Sequence, residues 1–255
     1  MDKPTIVITG TPDWGAQVTA QLRADYSIEH LADRTGYVTR LADARAAMIL
    51  VDSHDDHWRF WTTTPKSSPA TRRIPIVVAA DDAALHRAAL IAGADFVLPP
   101  AELIEQIQAL AAGYARVEDQ ARIEQLECEC RQPLPPLAVQ GVEKFNAGEY
   151  YPQHDLFEAL WMKTEGPVRD LYRAILQVGI AYYQIERGNH RGALKMLLRS
   201  VQWLLILPDV CQGVDVRQLR EDAARVRAEL EAMNPDDIGQ FDRRLLKPVR
   251  LVSPS

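Results

Sequence analysis

The sequence has no long apolar run, little cysteine and no large excess of either charge. None of its apolar stretches approaches the ~20 residues that cross a bilayer, so we expect no membrane association. Three cysteines in 255 residues are too few, and an odd number, for a disulfide scaffold. The N-terminal residues also lack the pattern of a signal peptide, and together these features predict a cytoplasmic protein. With 29 basic and 35 acidic side chains, the formal charge of −6 excludes binding of nucleic acid through a bulk positive field.

Familiar catalytic motifs are also missing. The sequence contains no Gly-x-Ser-x-Gly elbow, no glycine loop of the kind that cradles phosphate, and no His-Glu-x-x-His run. These absences favour a protein without enzymatic activity, although they leave unusual active sites open.

Residues 1–115 alternate short apolar runs with segments of helical character. The predicted strands are Ile6–Ile8, the weaker Tyr26–Ile28, Met48–Val51, Ile74–Val78 and Phe96–Leu98. Their apolar residues are continuous, which is typical of strands covered on both faces. Predicted helices lie between them, so we expect a five-stranded parallel sheet, doubly wound like flavodoxin. Trp58, Phe60 and Trp61 are expected to form an aromatic cluster in a loop.

Residues 133–255 predict an α-helical bundle without strands. Five segments have helical periodicity, and glycines such as Gly148 and Gly188 stand where helices end. In the third segment, an apolar stripe at three- and four-residue spacing predicts the buried face, and it comprises Leu171, Ile175, Val178 and Tyr182.

Residues 116–132 are expected to form a helical connector between these two domains. The pattern predicts one long helix over 102–130, with an apolar seam formed by Ile107, Leu110, Tyr114, Val117 and Ala121. The seam is compatible with a two-stranded coil, which would make the protein a homodimer, and also with a single helix packed on its own domain.

Three segments of the first domain resemble the receiver domains of bacterial response regulators: Ile49–Asp52, Ile74–Ala80 and Ala92–Pro100. The resemblance implies that Asp52 occupies the position of the phospho-acceptor. The acidic pair that binds Mg²⁺ in receivers is replaced by Thr9–Thr11, and the hydroxyl and lysine positions hold Ala80 and Pro99. Since phosphoryl transfer requires the metal, we predict a pseudo-receiver that is not phosphorylated at Asp52.

The second domain contains a segment that combines a helix stop with a polar stripe. After Gly148, the residues His154, Glu158 and Trp161 follow at i, i+4 and i+7, so they share one face of a helix. If that face meets the bundle core, the imidazole and the carboxylate must pair with each other, with another polar group or with a metal.

The same segment resembles the domain of unknown function 309 family, whose members have been classed as metal-dependent hydrolases. The shared pattern is Phe-Asn-x-Gly-x-Tyr over 145–150, then His154, Glu158 and Trp161, and later Gln177 and the run 187–193. Two positions depart from the expected pattern, because Asp155 replaces a glutamate and Gln184 stands where a histidine would fit.

Two functions follow from these features. The first is a non-enzymatic signalling or scaffold protein without a cofactor, in which the pseudo-receiver self-associates and the bundle binds a small molecule or a protein. The second is a hydrolase that binds Zn or Mn at His154 and Glu158. The residues that could complete either site are Asp155, Trp161, Gln177, Asn189 and His190.

Overall fold

The structure is a computed structural model that describes residues 3–252. The chain forms two compact units, which comprise residues 1–117 and 118–255. The division falls close to the predicted end of the first domain. Within the described residues, no helix is both long and apolar enough to span a bilayer.

The first unit is a parallel five-stranded sheet in the order β2-β1-β3-β4-β5, as predicted. This strand order is that of the flavodoxin-like doubly wound fold. The strands are β1 (Thr5–Thr9), β2 (Ser27–Leu31), β3 (Met48–Asp52), β4 (Ile76–Ala79) and β5 (Phe96–Leu98). The helices are α1 (Gly15–Leu22), α2 (Tyr37–Asp43), α3 (Trp58–Ser67), α4 (Ala83–Ala92) and α5 (Pro100–Tyr114).

Successive residues of the central strands enter two different cores. In β3, Met48 and Leu50 pack with the helices α1 and α5, whereas Ile49 and Val51 pack on the opposite face with α2, α3 and α4. All four side chains are fully buried. Full burial of an aliphatic side chain contributes about 1.5–3 kcal/mol to the free energy of folding. Because the strand is covered on both faces, the residues that point to either face must be apolar.

The aromatic segment that we expected to be a loop is helix α3. Trp58 and Trp61 are buried in the sheet-facing core, and the hydroxyl of Thr62 donates to the carbonyl oxygen of Trp58. The spacing of the two tryptophans is therefore a helical spacing that places both rings on the buried face.

The predicted long helix over 102–130 is wrong. Helix α5 ends at Tyr114, Ala115 is extended, and a second helix, α6 (Gln120–Cys130), begins after Asp119, which accepts a hydrogen bond from the N–H of Ala121. Ile107 and Leu110 are buried in the first unit and are not available for a coiled-coil seam. Ile107 and Leu110 thus belong to packing within the domain, whereas Tyr114 and Val117 are exposed.

The second unit consists of six helices and one small hairpin, followed by short 3₁₀ turns. After α6 come α7 (Pro136–Asn146), α8 (Tyr150–Lys163), α9 (Arg169–Glu186), α10 (His190–Leu204), β6 (Val210–Cys211), β7 (Val214–Asp215) and α11 (Val216–Ala232). Helix α9 lies between α8 and α10 and carries the predicted stripe, whose four members are fully buried. The hairpin corrects our expectation that this region has no strand.

Helix α6, which we expected to act as a connector, packs within the second unit. Leu126 enters the bundle core, the N–H of Val168 donates to the Glu129 carboxylate (2.9 Å), and Arg122 forms an ion pair with Asp170 (2.8 Å). These contacts fix α6 against the start of α9.

Cys130 and Cys211 form a disulfide, although the cysteine count predicted no disulfide scaffold. The bond joins the end of α6 to β6 across 81 positions of sequence, and Cys128 is exposed and free.

Closing a loop of this length restricts the unfolded chain, so Cys211→Ser should lower the free energy of unfolding by about 2–4 kcal/mol. The measurement is urea denaturation without reductant, with the exposed Cys128→Ser as a matched control that changes little. Thiol titration of denatured, unreduced protein should find one reactive thiol. Three reactive thiols and an unchanged Cys211→Ser variant would refute the disulfide.

Candidate functional site

The first candidate site lies at the carboxyl edge of the sheet, where β3 ends at Asp52. The Asp52 side chain is largely buried, and its Oδ1 accepts hydrogen bonds from the backbone N–H (2.9 Å) and the ring Nδ1 (3.0 Å) of His54. The other ring nitrogen of His54 lies 3.9 Å from the Asp81 carboxylate, beyond the end of β4. The imidazole therefore stands between two carboxylates.

The loop after β1 has no acidic side chain directly after the strand, since Asp13 is its first carboxylate. The Thr9 hydroxyl is buried and donates to the carbonyl oxygen of Leu50 (3.3 Å). Gly10 has a φ of +69°, and the Asp55 carboxylate packs so closely on it that an added Cβ would clash. Asp55 in turn accepts hydrogen bonds from the N–H of His57 (2.6 Å) and from Trp61 Nε1 (3.3 Å), so it is held by its own turn and by α3.

The two other positions that were compared with receivers also follow strands at this edge. Ala80 is buried after β4, and Pro99 follows β5. Across residues 3–252, no group of three His, Cys, Asp or Glu side chains is arranged to hold a metal ion. Chemically, this edge can form imidazole–carboxylate ion pairs, but it lacks a cluster of hard oxygen ligands.

The second candidate site is the polar stripe of α8, in which Trp161 packs against the bundle core while His154 and Glu158 are partly exposed. The buried residues of this helix are Tyr150, Gln153 and Phe157, which places His154 on the partly exposed rim. His154 Nδ1 lies 3.1 Å from Asp155 Oδ1, and its ring stacks on Tyr151. A rim position lets water solvate the imidazole, so no buried partner is required.

Most of the predicted site residues do not converge. Gln177 is buried in α9, and its Oε1 accepts no hydrogen bond within the described part of the chain. Asn189 caps α10 by accepting from the N–H of Gly192 (2.9 Å), and His190 Nε2 donates to the carbonyl oxygen of Leu230 in α11 (2.6 Å). Among residues 3–252, the only hydrogen bond between two predicted members of the bundle site joins His154 to Asp155.

The residues of the Phe-Asn-x-Gly-x-Tyr pattern over 145–150 have structural contacts. Phe145, Tyr150 and Tyr182 form an aromatic triad with ring centroids 5.4–5.6 Å apart. Asn146 donates to the carbonyl oxygen of Val249 (2.9 Å) and accepts from its N–H (2.8 Å), which ties the C-terminal segment to α7. These residues of the motif therefore have structural contacts within the bundle.

Trp161 belongs to a group of side chains that sequence reasoning missed. The guanidinium of Arg173 lies 4.3 Å from the Trp161 ring centroid and 4.2 Å from that of Trp203 in α10. Arg169 lies 5.6 Å from the same Trp161 ring. The i, i+4 spacing of Arg169 and Arg173 was a usable signal, but their partner in α10 could not be identified without the packing of α9 on α10.

The nearby carboxylate of Asp170 is almost fully buried. Burial raises its pKa above the ordinary value, and the neighbouring Arg122, Arg173 and Arg169 oppose that rise. The arginines thus keep a buried carboxylate compatible with the fold.

Comparison with known proteins finds one family model and one solved structure that are similar to parts of this chain. Residues 138–196 match the family model "Domain of unknown function (DUF309)". A solved structure from Chloroflexus aurantiacus J-10-fl, described as a response regulator, is similar to this chain with 20% identity and a TM-score of 0.38; the similarity covers 44% of this chain and 99% of that one. No curated protein matches. The family-model match agrees with the resemblance predicted for the second domain, and the strand order of the first unit agrees with the predicted receiver-like fold.

Arg122→Ala should lower the free energy of unfolding by about 1–2 kcal/mol, because it removes the closest partner of a buried carboxylate. This is less than the ~3–5 kcal/mol of a fully buried pair, since Arg122 is partly exposed and other arginines remain.

The loss should depend on pH. Without Arg122 the pKa of Asp170 in the folded state rises further, so the deficit is full above that pKa and shrinks as the pH falls below it. Urea denaturation at several pH values measures the effect, and Arg131→Ala, which removes an exposed pair with Glu127, is the control. A deficit that grows on acidification would contradict this assignment.

Proposed function

We propose that this chain is a non-enzymatic signalling or scaffold protein. The receiver-like unit mediates self-association without phosphorylation, and the helical unit binds a ligand or a partner protein. The receiver-like fold of the first unit supports a role connected with signalling.

The observation that carries the proposal is the set of groups around the Asp52 carboxylate. Its Oδ1 is engaged by His54, and the loop after β1 offers Thr9–Thr11 where a receiver would offer two carboxylates. A phosphoryl group on Asp52 would add negative charge beside Asp81 without a bound cation to neutralise it. Such an environment disfavours acyl phosphate formation and suits a unit that works through its surface.

Self-association is supported by exposed apolar side chains on the first unit. Ile91 and Leu90 on α4 are 87% and 47% exposed, and Tyr114 at the end of α5 is 54% exposed. Tyr114 packs on Phe96 of β5, with ring centroids 4.5 Å apart. Exposed apolar groups of this size gain by leaving water in a contact between two copies.

A phosphodonor experiment tests the proposal. Intact protein incubated with acetyl phosphate and Mg²⁺ should acquire no phosphoryl group in its mass spectrum, and Asp52→Asn should behave identically. An active receiver treated in parallel serves as the positive control. A Mg²⁺-dependent adduct that disappears in Asp52→Asn would overturn the proposal.

Self-association should depend on Ile91. Sedimentation velocity over a range of concentrations should detect a dimer of the full chain, and Ile91→Glu should shift it to monomer by placing a charge in the apolar contact. Ala24→Glu, at an exposed position beyond α1, is the matched control and should leave the dimer intact. A wild-type protein that stays monomeric throughout would contradict this part of the proposal.

A further inference from the structure

Helix α6 is short and buries little of its surface. Of its eleven residues, all of which the structure describes, only Leu126 and Cys130 are buried. A helix of this length is marginal in water by itself, so its persistence depends on tertiary contacts. One of its two buried side chains is half of the Cys130–Cys211 disulfide. The state of this bond therefore has a large effect on whether α6 stays in place.

Several of the other contacts that hold α6 are polar. The Glu129 carboxylate accepts a hydrogen bond from the N–H of Val168 (2.9 Å), and the N–H of Gln212 donates to the carbonyl oxygen of Cys130 (2.6 Å). Arg122 forms the ion pair described above, but its side chain is 43% exposed. Water replaces such partners when a helix separates, so the net contribution of each is modest. The disulfide differs from these contacts because water cannot substitute for it.

The bond is more accessible from the side of α6 than from the side of β6. Cys130 retains 7% exposure whereas Cys211 has none, so an attacking thiol reaches the sulfur of Cys130 first. Cys130 is also the last residue of α6, where the N–H of Arg131 donates to the carbonyl oxygen of Cys128 at 3.3 Å. Terminal turns of this kind open locally without unfolding the rest of a domain. Local opening at the end of α6 therefore exposes the bond to a thiol.

We propose that the Cys130–Cys211 disulfide is a redox switch that holds or releases α6. The reductant is a dithiol, either a dithiol protein or a small molecule such as dithiothreitol. One thiolate of the dithiol attacks Cys130 Sγ, forms a mixed disulfide and expels the Cys211 thiolate, which takes up the proton that the attacking thiol has lost. The second thiol then attacks the mixed disulfide, so the protein gains two thiols and the reductant becomes a disulfide. A disulfide oxidant reverses both steps.

Release of α6 changes what the second unit exposes. When α6 separates, Leu126 enters water, and the N–H of Val168 at the start of α9 loses the Glu129 carboxylate. Because α6 follows the unit boundary at residue 117, its release also lengthens the segment that precedes α7. This regulation goes beyond the proposed function, since it requires neither the groups around Asp52 nor self-association.

Hydrogen exchange measured by mass spectrometry on the full chain tests the proposal. Oxidised protein is compared with protein that dithiothreitol has reduced without denaturant, and thiol titration establishes the state of each sample. Amides in 120–130 should exchange at least about tenfold faster after reduction, which is a small part of the effect of a disulfide on stability. Amides of α9 should stay protected, because its apolar stripe remains buried. Reoxidation should restore slow exchange in α6.

Two variants separate the release of α6 from other effects of the reductant. Cys130→Ser cannot form the bond, so its α6 should exchange at the fast rate with and without dithiothreitol. Cys128→Ser is the matched control, because it changes an exposed cysteine of the same helix and leaves the bond intact. It should respond to dithiothreitol as the wild type does.

Slow exchange of α6 in Cys130→Ser, or in wild type with three free thiols, would overturn the inference. Loss of protection in α6 and α9 together would also overturn it, because the whole bundle would then depend on the bond. A bond that dithiothreitol reduces only in denaturant would be a permanent link and not a switch. Each of these results leaves the phosphodonor experiment on Asp52 unaffected, so the two proposals fail separately.

Discussion

In a parallel sheet, the carboxyl ends of all strands meet at one edge, and the side chains that follow the strands decide the chemistry there. In this chain the edge brings Asp52 and Asp81 to the two sides of His54, whereas Thr9, Ala80 and Pro99 occupy neighbouring positions. A divalent cation needs several oxygen ligands, and this edge offers an imidazole and turn-bound carboxylates instead. We therefore propose that the receiver-like sheet does not use the metal-dependent chemistry of receivers.

The second unit shows how polar groups are accommodated when α9 is buried between two helices. Asp170 is compensated by arginines from α6 and α9, and Arg173 is held by tryptophans from α8 and α10. These interactions compensate the charged groups of the bundle and hold α9 against its neighbouring helices.

The sequence predicted those features that depend on local periodicity. Continuous apolar runs such as Met48–Val51 indicated buried parallel strands, and the stripe from Leu171 to Tyr182 indicated the buried face of α9. The face of α8 was misjudged because its apolar residues occur all round the helix, so packing of Gln153 and Phe157 decides the orientation. Asp119 was an available capping signal for the break before α6. The Cys130–Cys211 pair and the Arg173–Trp203 contact join segments that are distant in the sequence. Neither could be predicted without knowing how the helices pack.

The central claim is that the sheet edge does not bind a divalent cation. The most direct test is to titrate the full chain with Mn²⁺, which can replace Mg²⁺. Free Mn²⁺ is then measured by electron paramagnetic resonance. The account predicts that wild type and Asp52→Asn bind Mn²⁺ equally and only weakly. Saturable, stoichiometric binding that Asp52→Asn abolishes would contradict it.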